Sequence, residues 1–256
     1  MLIDTHTHLY DDRLTESKQD EMIQRALDAG VKKMYMPNCD QHTIPGMMRI
    51  AERFQNECHP MMGLHPTYVK DDFQQELDIV RNWLEKSPFA AVGEIGLDYY
   101  WDQTFKEQQK HCFSQQIDWA LEFNLPIVIH SRDSMIDCLE IVKSKQNGNL
   151  RGIFHCFSGN MEDAQKVIDL GFLLGIGGVI TYKSNKDLQD LIQKVTLNSF
   201  VLETDAPYLS PVPFRGKRNE SSHIQYVAEK VAELREMSIA DLAKATSANA
   251  EKLFAR

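Results

Sequence analysis

The sequence predicts an α/β protein folded as a (β/α)8 TIM barrel, a single domain over residues 1–256 with an extra C-terminal helix. Short apolar runs recur along the chain, each followed by a stretch of helical periodicity, so that strand then helix repeats. Eight such units fit within 256 residues, a length at which a closed parallel barrel forms one domain. Titratable side chains gather at the C-terminal ends of the apolar runs, the face on which this fold assembles its active sites. An open, doubly wound sheet is the runner-up architecture.

The strand candidates, in order, are Leu2 to Thr5, Lys33 to Pro37, Pro60 to Leu64, Ala90 to Ile95, Pro126 to Ile129, Gly152 to His155, Phe172 to Ile176 and Phe200 to Glu203. Amphipathic stretches lie between and after them, at roughly residues 16–29, 42–55, 71–86, 104–123, 132–146, 161–170, 185–195 and 220–235. Gly30 fits a helix C-cap, and Pro88 and Pro126 stand where strands are about to begin. Ser238 to Phe254 opens with Ser238-x-x-Asp241, a capping pattern, and supplies the extra helix.

With 43% apolar and 25% charged residues and no apolar run near the ~18 residues of a membrane span, the chain reads as soluble. Its first residues, Met1 to His8, lack the parts of a signal peptide, which predicts a cytoplasmic protein. Five scattered cysteines without a CxxC spacing argue against both a disulfide framework and a thiolate zinc site, and read as small buried hydrophobes. The net charge of −9 excludes a protein that coats nucleic acid along a basic surface. It leaves room for an enzyme that grips a few phosphates with local cations and bound metal, which act within a Debye length of ~8 to 10 Å.

His6-Thr7-His8 closes the first strand, and a period of two puts both imidazoles on the side of the barrel mouth. His65 also ends a strand. Glu94, flanked by apolar residues at the end of the fourth strand, is a carboxylate whose burial calls for a counter-charge; a metal pair or an arginine would serve. His130 and His155 end two successive apolar strands, and neutral imidazole is the commonest metal ligand. At the last strand Asp205 lies near the mouth, able to bind metal and to accept a proton from a bound water. Glu203 sits a step deeper, where it would orient a histidine or form a buried salt bridge.

In chain order the motifs are Asp4-Thr5-His6-Thr7-His8-Leu9, Gly63-Leu64-His65-Pro66, Gly93-Glu94-Ile95-Gly96-Leu97-Asp98-Tyr99, Ile129-His130-Ser131-Arg132, His155-Cys156-Phe157-Ser158-Gly159, Glu203-Thr204-Asp205-Ala206-Pro207-Tyr208-Leu209 and Arg215-Gly216-Lys217-Arg218-Asn219. Together they make the chain resemble, over essentially its whole length, the TatD family of metal-dependent deoxyribonucleases. The resemblance implies two divalent ions, one held by His6, His8, Glu94 and Asp205 and the other by Glu94, His130 and His155, with Glu94 bridging. It implies hydrolysis of DNA phosphodiester bonds, as a 3′ to 5′ exonuclease on single strands or 3′ ends, with abasic-site cleavage a further family activity. Glu94 and Asp205 would be the catalytic carboxylates, and a hydroxide the nucleophile.

His65, Arg132, Arg215, Lys217 and Arg218 would hold phosphate oxygens or flanking backbone, with Lys217 and Arg218 equally able to be a solvated loop. Asn219-Glu220-Ser221 departs from the family's Asn-Glu-Pro and loses the rigid turn that proline would give. The ligand set suits Zn, Mn, Ni or Co, while phosphoryl chemistry often uses Mg. A binuclear amidohydrolase or lactonase is the rival reading. Such enzymes resemble this one in their HxH strand and final Asp but often bridge their metals with a carboxylated lysine, where this chain has Glu94. No membrane and no obligate protein partner are expected.

Overall fold

The computed structural model describes residues 1–255. Its strands and helices alternate as β1 (Leu2–Asp4), α1 (Glu16–Asp28), β2 (Val31–Pro37), α2 (Ile44–Arg53), β3 (Cys58–Met61), α3 (Phe73–Lys86), β4 (Val92–Asp98), α4 (Lys106–Glu122), β5 (Ile127–Arg132), α5 (Met135–Lys145), β6 (Gly152–Phe154), α6 (Met161–Asp169), β7 (Leu173–Ile176), α7 (Lys186–Lys194), β8 (Phe200–Leu202), α8 (Ile224–Leu234) and α9 (Ile239–Phe254). Strands β1 to β3 pair in parallel order, as do β4 to β8.

Backbone hydrogen bonds join these two sheets into one ring. Ala90 N donates to Pro60 O at 2.9 Å and Met62 N to Ala91 O at 3.1 Å, and Met62 bridges Val92. On the other side Thr5 N reaches Leu202 O at 3.2 Å, Asp205 N reaches His6 O at 2.9 Å, and Thr7 bridges Ala206. The fold is therefore the (β/α)8 barrel, and the open-sheet alternative is set aside.

The helices bury their apolar stripes against the outside of the barrel in one large hydrophobic cluster. A smaller cluster, with Ile3, Met61, Val128, Ile153 and Val201 from the strands, packs against Ala250 and Leu253 of α9, and Phe254 stacks on Tyr35 at 3.8 Å. The extra helix thus plugs one end of the barrel. Strand alternation links this plug to the opposite end: Val128, His130 and Arg132 lie two apart on β5, Ile153 leads to His155, and Val201 leads to Glu203 and Asp205.

Local chemistry sets the boundaries. Ser238 Oγ accepts from Asp241 N at 3.0 Å and donates to Asp241 Oδ2 at 2.6 Å, capping α9. Gly30 follows α1 at φ +87°, a left-handed conformation that glycine adopts without penalty. The structure corrects the expected strand ends in several places. β3 stops at Met61, so His65 lies beyond it, and β5 runs on to Arg132, so His130 lies inside it. β1 stops at Asp4, so His6, Thr7 and His8 lie beyond its ladder. β4 runs on to Asp98, which places Glu94 inside the strand and not at its end. That continuation depends on Gly96, at φ +136°, where any Cβ would collide with the carbonyl of His130, its partner in the ladder.

Helices α5 and α8 start later than their periodicity suggests, since β5 still includes Arg132 and a 3-10 turn, Ser221–His223, precedes α8. Ser221 is buried there and its hydroxyl donates to Thr7 Oγ1 at 3.0 Å. Where proline would only stiffen the turn, serine ties it to the segment that carries His6 and His8. Among the described residues no helix is long and apolar enough to cross a membrane.

Candidate metal centre

Glu94 occupies the centre of the mouth, 2% exposed, and each of its carboxylate oxygens faces its own group of imidazoles. Oε2 lies 3.1 Å from His6 Nε2 and 3.7 Å from His8 Nε2. Those two nitrogens are 3.3 Å apart, and Asp205 Oδ1 lies 3.8 Å and 3.6 Å from them. Oε1 lies 3.0 Å from His130 Nδ1, 3.2 Å from His155 Nε2 and 3.4 Å from His65 Nε2. Ligand atoms bonded at ~2.0–2.2 Å to one tetrahedral ion stand roughly 3.3–3.6 Å apart, a spacing that the distances here, from 3.0 to 3.8 Å, bracket. His6, His8 and Asp205 form one group that could hold a metal, and His65, Glu94 and His130 another.

What stands behind each imidazole fixes which nitrogen faces Glu94. Tyr10 Oη donates to Pro37 O and so accepts from His8 Nδ1, 2.7 Å away, which leaves the His8 Nε2 lone pair facing inward. His155 Nδ1 donates to Glu203 Oε1 at 3.2 Å, and Cys156 N donates to the same oxygen at 2.5 Å. His130 Nε2 donates to Asp98 Oδ2 at 2.9 Å. His6 Nδ1 is buried and has no partner among the described residues. His6, His155 and Glu203 also lie close enough to hold an ion, but Glu203 sits on the nitrogen of His155 that points away from Glu94, the place of an orienting group. Gly175 makes room for that carboxylate, since a Cβ at this position would strike Glu203 Oε2.

The electrostatics follow this layout. Burial alone would raise the Glu94 carboxyl, but the imidazoles of His6, His65 and His155, then His130, bring it well below the ordinary range. Asp205 is lowered in the same way, burial being outweighed first by its hydrogen bond with His8. Burial lowers His6 and His65. Burial also pulls on His130 and His155, yet His130 is raised by its bonds to Asp98 and Glu94, and His155 is raised well above its ordinary value by Glu94 and Glu203. His8 is likewise well above it, Cys39 and then Asp205 overcoming burial. A carboxylate ringed by nitrogen lone pairs needs positive charge between them. In the metal-free protein protons supply it, and the same positions fit divalent ions.

The outer residues divide. His65 joins the inner cluster, and its Nδ1 accepts from Thr67 N at 3.2 Å, so a neutral ring presents Nε2–H to the mouth. Arg132 is exposed, its guanidinium 3.9 Å from the Tyr100 ring centre. Arg215 lies over Tyr182 at 4.5 Å. Arg218 is drawn away from a phosphate-binding role by Asp11, whose Oδ2 lies 2.7 Å from its Nη2. Lys217 stays exposed. Cys58, Cys112 and Cys138 are buried as expected, whereas Cys39 and Cys156 are only half-buried, and Cys39 Sγ sits 3.7 Å from His8 Nδ1.

Sequence reasoning assigned no role to Asp98 or Tyr10. Asp98 could have been found: on a strand extended by three residues, Glu94, Gly96 and Asp98 share one face. Tyr10 leaves no comparable signal, because its hydroxyl reaches His8 only through a loop.

Comparison with known proteins accords with this site. A family model for TatD-related DNases matches residues 3–255. The chain is 37% identical over 254 residues to a Bacillus subtilis (strain 168) protein, the uncharacterized metal-dependent hydrolase YabD, covering 99% of each. It is 28% identical over 243 residues to the 3'-5' ssDNA/RNA exonuclease TatD of Pantoea ananatis, covering 93% of this chain and 94% of that one. Among solved structures, the TatD homologue YjjV of Escherichia coli K12 superposes with a TM-score of 0.92 at 31% identity, over 99% of this chain and 97% of the other. A Listeria monocytogenes lactonase shares the fold alone, at a TM-score of 0.68 and 14% identity. A whole-length family match, joined to a centre of five imidazoles around one buried carboxylate, makes this chain a member of the TatD-related DNase family and a metal-dependent hydrolase.

Proposed function

We propose that the protein is a two-metal phosphodiesterase that hydrolyses DNA from 3′ ends, with single strands as its preferred form. The observation that carries the reading is the split of the Glu94 carboxylate, one oxygen toward His6 and His8 and the other toward His130 and His155. A bridging carboxylate of this kind suits two cations. Divalent ions, when bound, supply Lewis acidity to a phosphoryl oxygen and lower the pKa of a water.

The protein's own groups then have separate tasks. His6, His8, Glu94 and Asp205 would hold one ion, and Glu94, His130 and His155 would hold the other. Asp205, 14% exposed at the lip of the site, takes the proton from the attacking water. His65, with Nε2–H directed to the mouth, donates to a non-bridging phosphate oxygen, and Arg132 and Arg215 hold the flanking backbone. Glu203 and Asp98 keep His155 and His130 in the tautomers that the ions require. Support for a nucleic-acid substrate comes from the exonuclease of Pantoea ananatis, which is similar over nearly the whole chain.

The test is hydrolysis of 3′- and 5′-labelled single-stranded, duplex and abasic oligonucleotides with Mg, Mn, Zn, Ni or Co, alongside an aryl phosphodiester and simple lactones. Stepwise shortening of single strands from the 3′ end is expected. Efficient lactone turnover with phosphodiesters left intact would replace this reading with the lactonase or amidohydrolase one.

A further inference from the structure

The loop after β4 carries two large aromatic side chains in water: Tyr100 is 55% exposed and Trp101 is 69% exposed. Leaving this much aromatic surface wet forfeits burial energy, and adjoining exposed aromatics mark a binding surface. Their rings meet edge to face, with centroids 4.9 Å apart and planes at 87°. The Arg132 guanidinium lies 3.9 Å from the centre of Tyr100 and 5.3 Å from that of Trp101. No hydrogen-bond or ion-pair partner engages the Arg132 guanidinium among the described residues, so its edge N–H donors are open to an anion.

This patch is fastened to the metal centre by a single carboxylate. Asp98 Oδ1 accepts the backbone N–H of Tyr100 at 3.0 Å and of Trp101 at 3.2 Å, while Oδ2 accepts from His130 Nε2 at 2.9 Å. Arg132 follows His130 by one strand repeat and pairs with Asp98 in the ladder. The backbone that carries the rings, the strand that carries the cation and the His130 imidazole are therefore linked through Asp98 at the lip of the mouth.

We infer that the Trp101 ring is a stacking platform for an unpaired nucleobase beside the scissile phosphate, with Tyr100 bracing it at a right angle and Arg132, packed on Tyr100, holding the adjoining phosphate. A flat π-face accepts any base, and a neighbouring cation in a chain of net charge −9 selects the anionic backbone. A base paired in a duplex has its faces covered by its stacked neighbours, so the platform favours single strands. The inference rests on the nuclease reading and adds to it the residues that choose the form of the substrate.

Tryptophan emission tests it, because Trp119 is buried and Trp83 half-buried, leaving Trp101 as the exposed reporter. Phosphorothioate oligothymidylate is titrated into the metal-loaded protein. Quenching is expected in the wild type and should vanish in Trp101→Phe, which keeps a ring and binds nearly as tightly. Trp101→Ala should raise the Kd and the KM for single strands roughly tenfold, with the preference over blunt duplex narrowing by the same factor. Unchanged Kd and unchanged strand preference in Trp101→Ala, in a protein that does cleave single strands, overturn the platform alone. Failure of the wild type to cleave DNA of any form overturns the nuclease reading itself. If Trp101→Ala instead splits a dimer and leaves DNA binding intact, the patch belongs to a second copy of the chain and the inference falls.

Discussion

The two halves of the metal centre present similar imidazoles to Glu94 but back them differently. On the β5 and β6 side, His130 leans on Asp98 and His155 on Glu203, two buried carboxylates. On the β1 and β8 side, His8 leans on the neutral phenol of Tyr10, and His6 Nδ1 has no hydrogen-bond partner among the described residues. That second half has Asp205 in direct reach instead. Negative charge is thus placed behind the ligands in one half and among them in the other. A carboxylate behind an imidazole raises its basicity and locks its tautomer. Asp205, partly open to solvent at the mouth, remains available to handle a proton. The first arrangement suits a firmly held ion, the second an ion that works on water.

The largest effect should come from removing what the halves share. Glu94→Gln keeps size and loses the charge that both proposed ions would need, so activity on any phosphodiester is expected to fall by more than ~10³-fold. Metal counting should find both sites weakened. Retention of one ion at full affinity would mean that Glu94 belongs to one half only.

Asp98→Asn and Glu203→Gln sharpen the comparison, since each should lower metal affinity by roughly 10- to 100-fold in the β5–β6 half. Tyr10→Phe removes a neutral hydrogen bond of about 1 kcal/mol and should cost only about fivefold, in the other half. Competition against a chromophoric chelator gives these constants. Equal losses for Tyr10→Phe and Asp98→Asn would erase the proposed asymmetry.

Acid should separate the halves as well. His130 and His155 both hold protons above the ordinary imidazole value in the metal-free protein, burial being outweighed by their carboxylate neighbours. In the other half His8 is raised and His6 is lowered. An ion must displace these protons, so affinity falls as pH drops through the raised pKa values. Below them the β5–β6 half should lose about two decades of affinity per pH unit and the other half about one. Titrations with metal between roughly pH 5 and 8 would read the two slopes, and identical slopes would contradict the assignment of protons.

How much of this was legible in the sequence depended on whether a residue acts along its own strand or across the fold. Eight strands and the face at their C-terminal ends could be read because apolar runs end visibly, though β1, β3, β4 and β5 end elsewhere than expected, and His6, His8, Glu94, His130, His155 and Asp205 do converge. Asp98 was hidden by a boundary error: ending β4 at Ile95 conceals the alternation that puts it on Glu94's face, and Gly96 looks like a strand breaker until its packing on His130 is known. Arg218 was read as a possible phosphate grip because its partner Asp11 lies 207 residues away. Ser221 looked like a lost proline, yet its hydroxyl bonds Thr7 from the far end of the chain. Burial at the ends of strands is local information; pairing between loops is not.

The smallest predicted effect concerns those loops. Arg215 and Arg218 are neighbours in sequence, but Arg215 rests on the Tyr182 ring with its charge free, whereas Arg218 is neutralised by Asp11. Only the first can release counterions from a bound strand. Arg215→Ala should therefore reduce the salt slope of single-stranded DNA binding by about 0.7, the value for one phosphate contact, while Arg218→Ala leaves the slope unchanged. Arg218→Ala should act on stability instead, since it strips a partner from Asp11, whose carboxyl is held low first by Arg13 and also by Arg218. The Arg13 contact persists and the Arg218 side chain is partly open to water, so the loss is modest, about 1 kcal/mol. Binding isotherms at several salt concentrations, paired with thermal melts, distinguish the two arginines. A slope that drops for Arg218→Ala as much as for Arg215→Ala would show that the ion pair opens when DNA arrives, and would return Arg218 to the substrate-binding set.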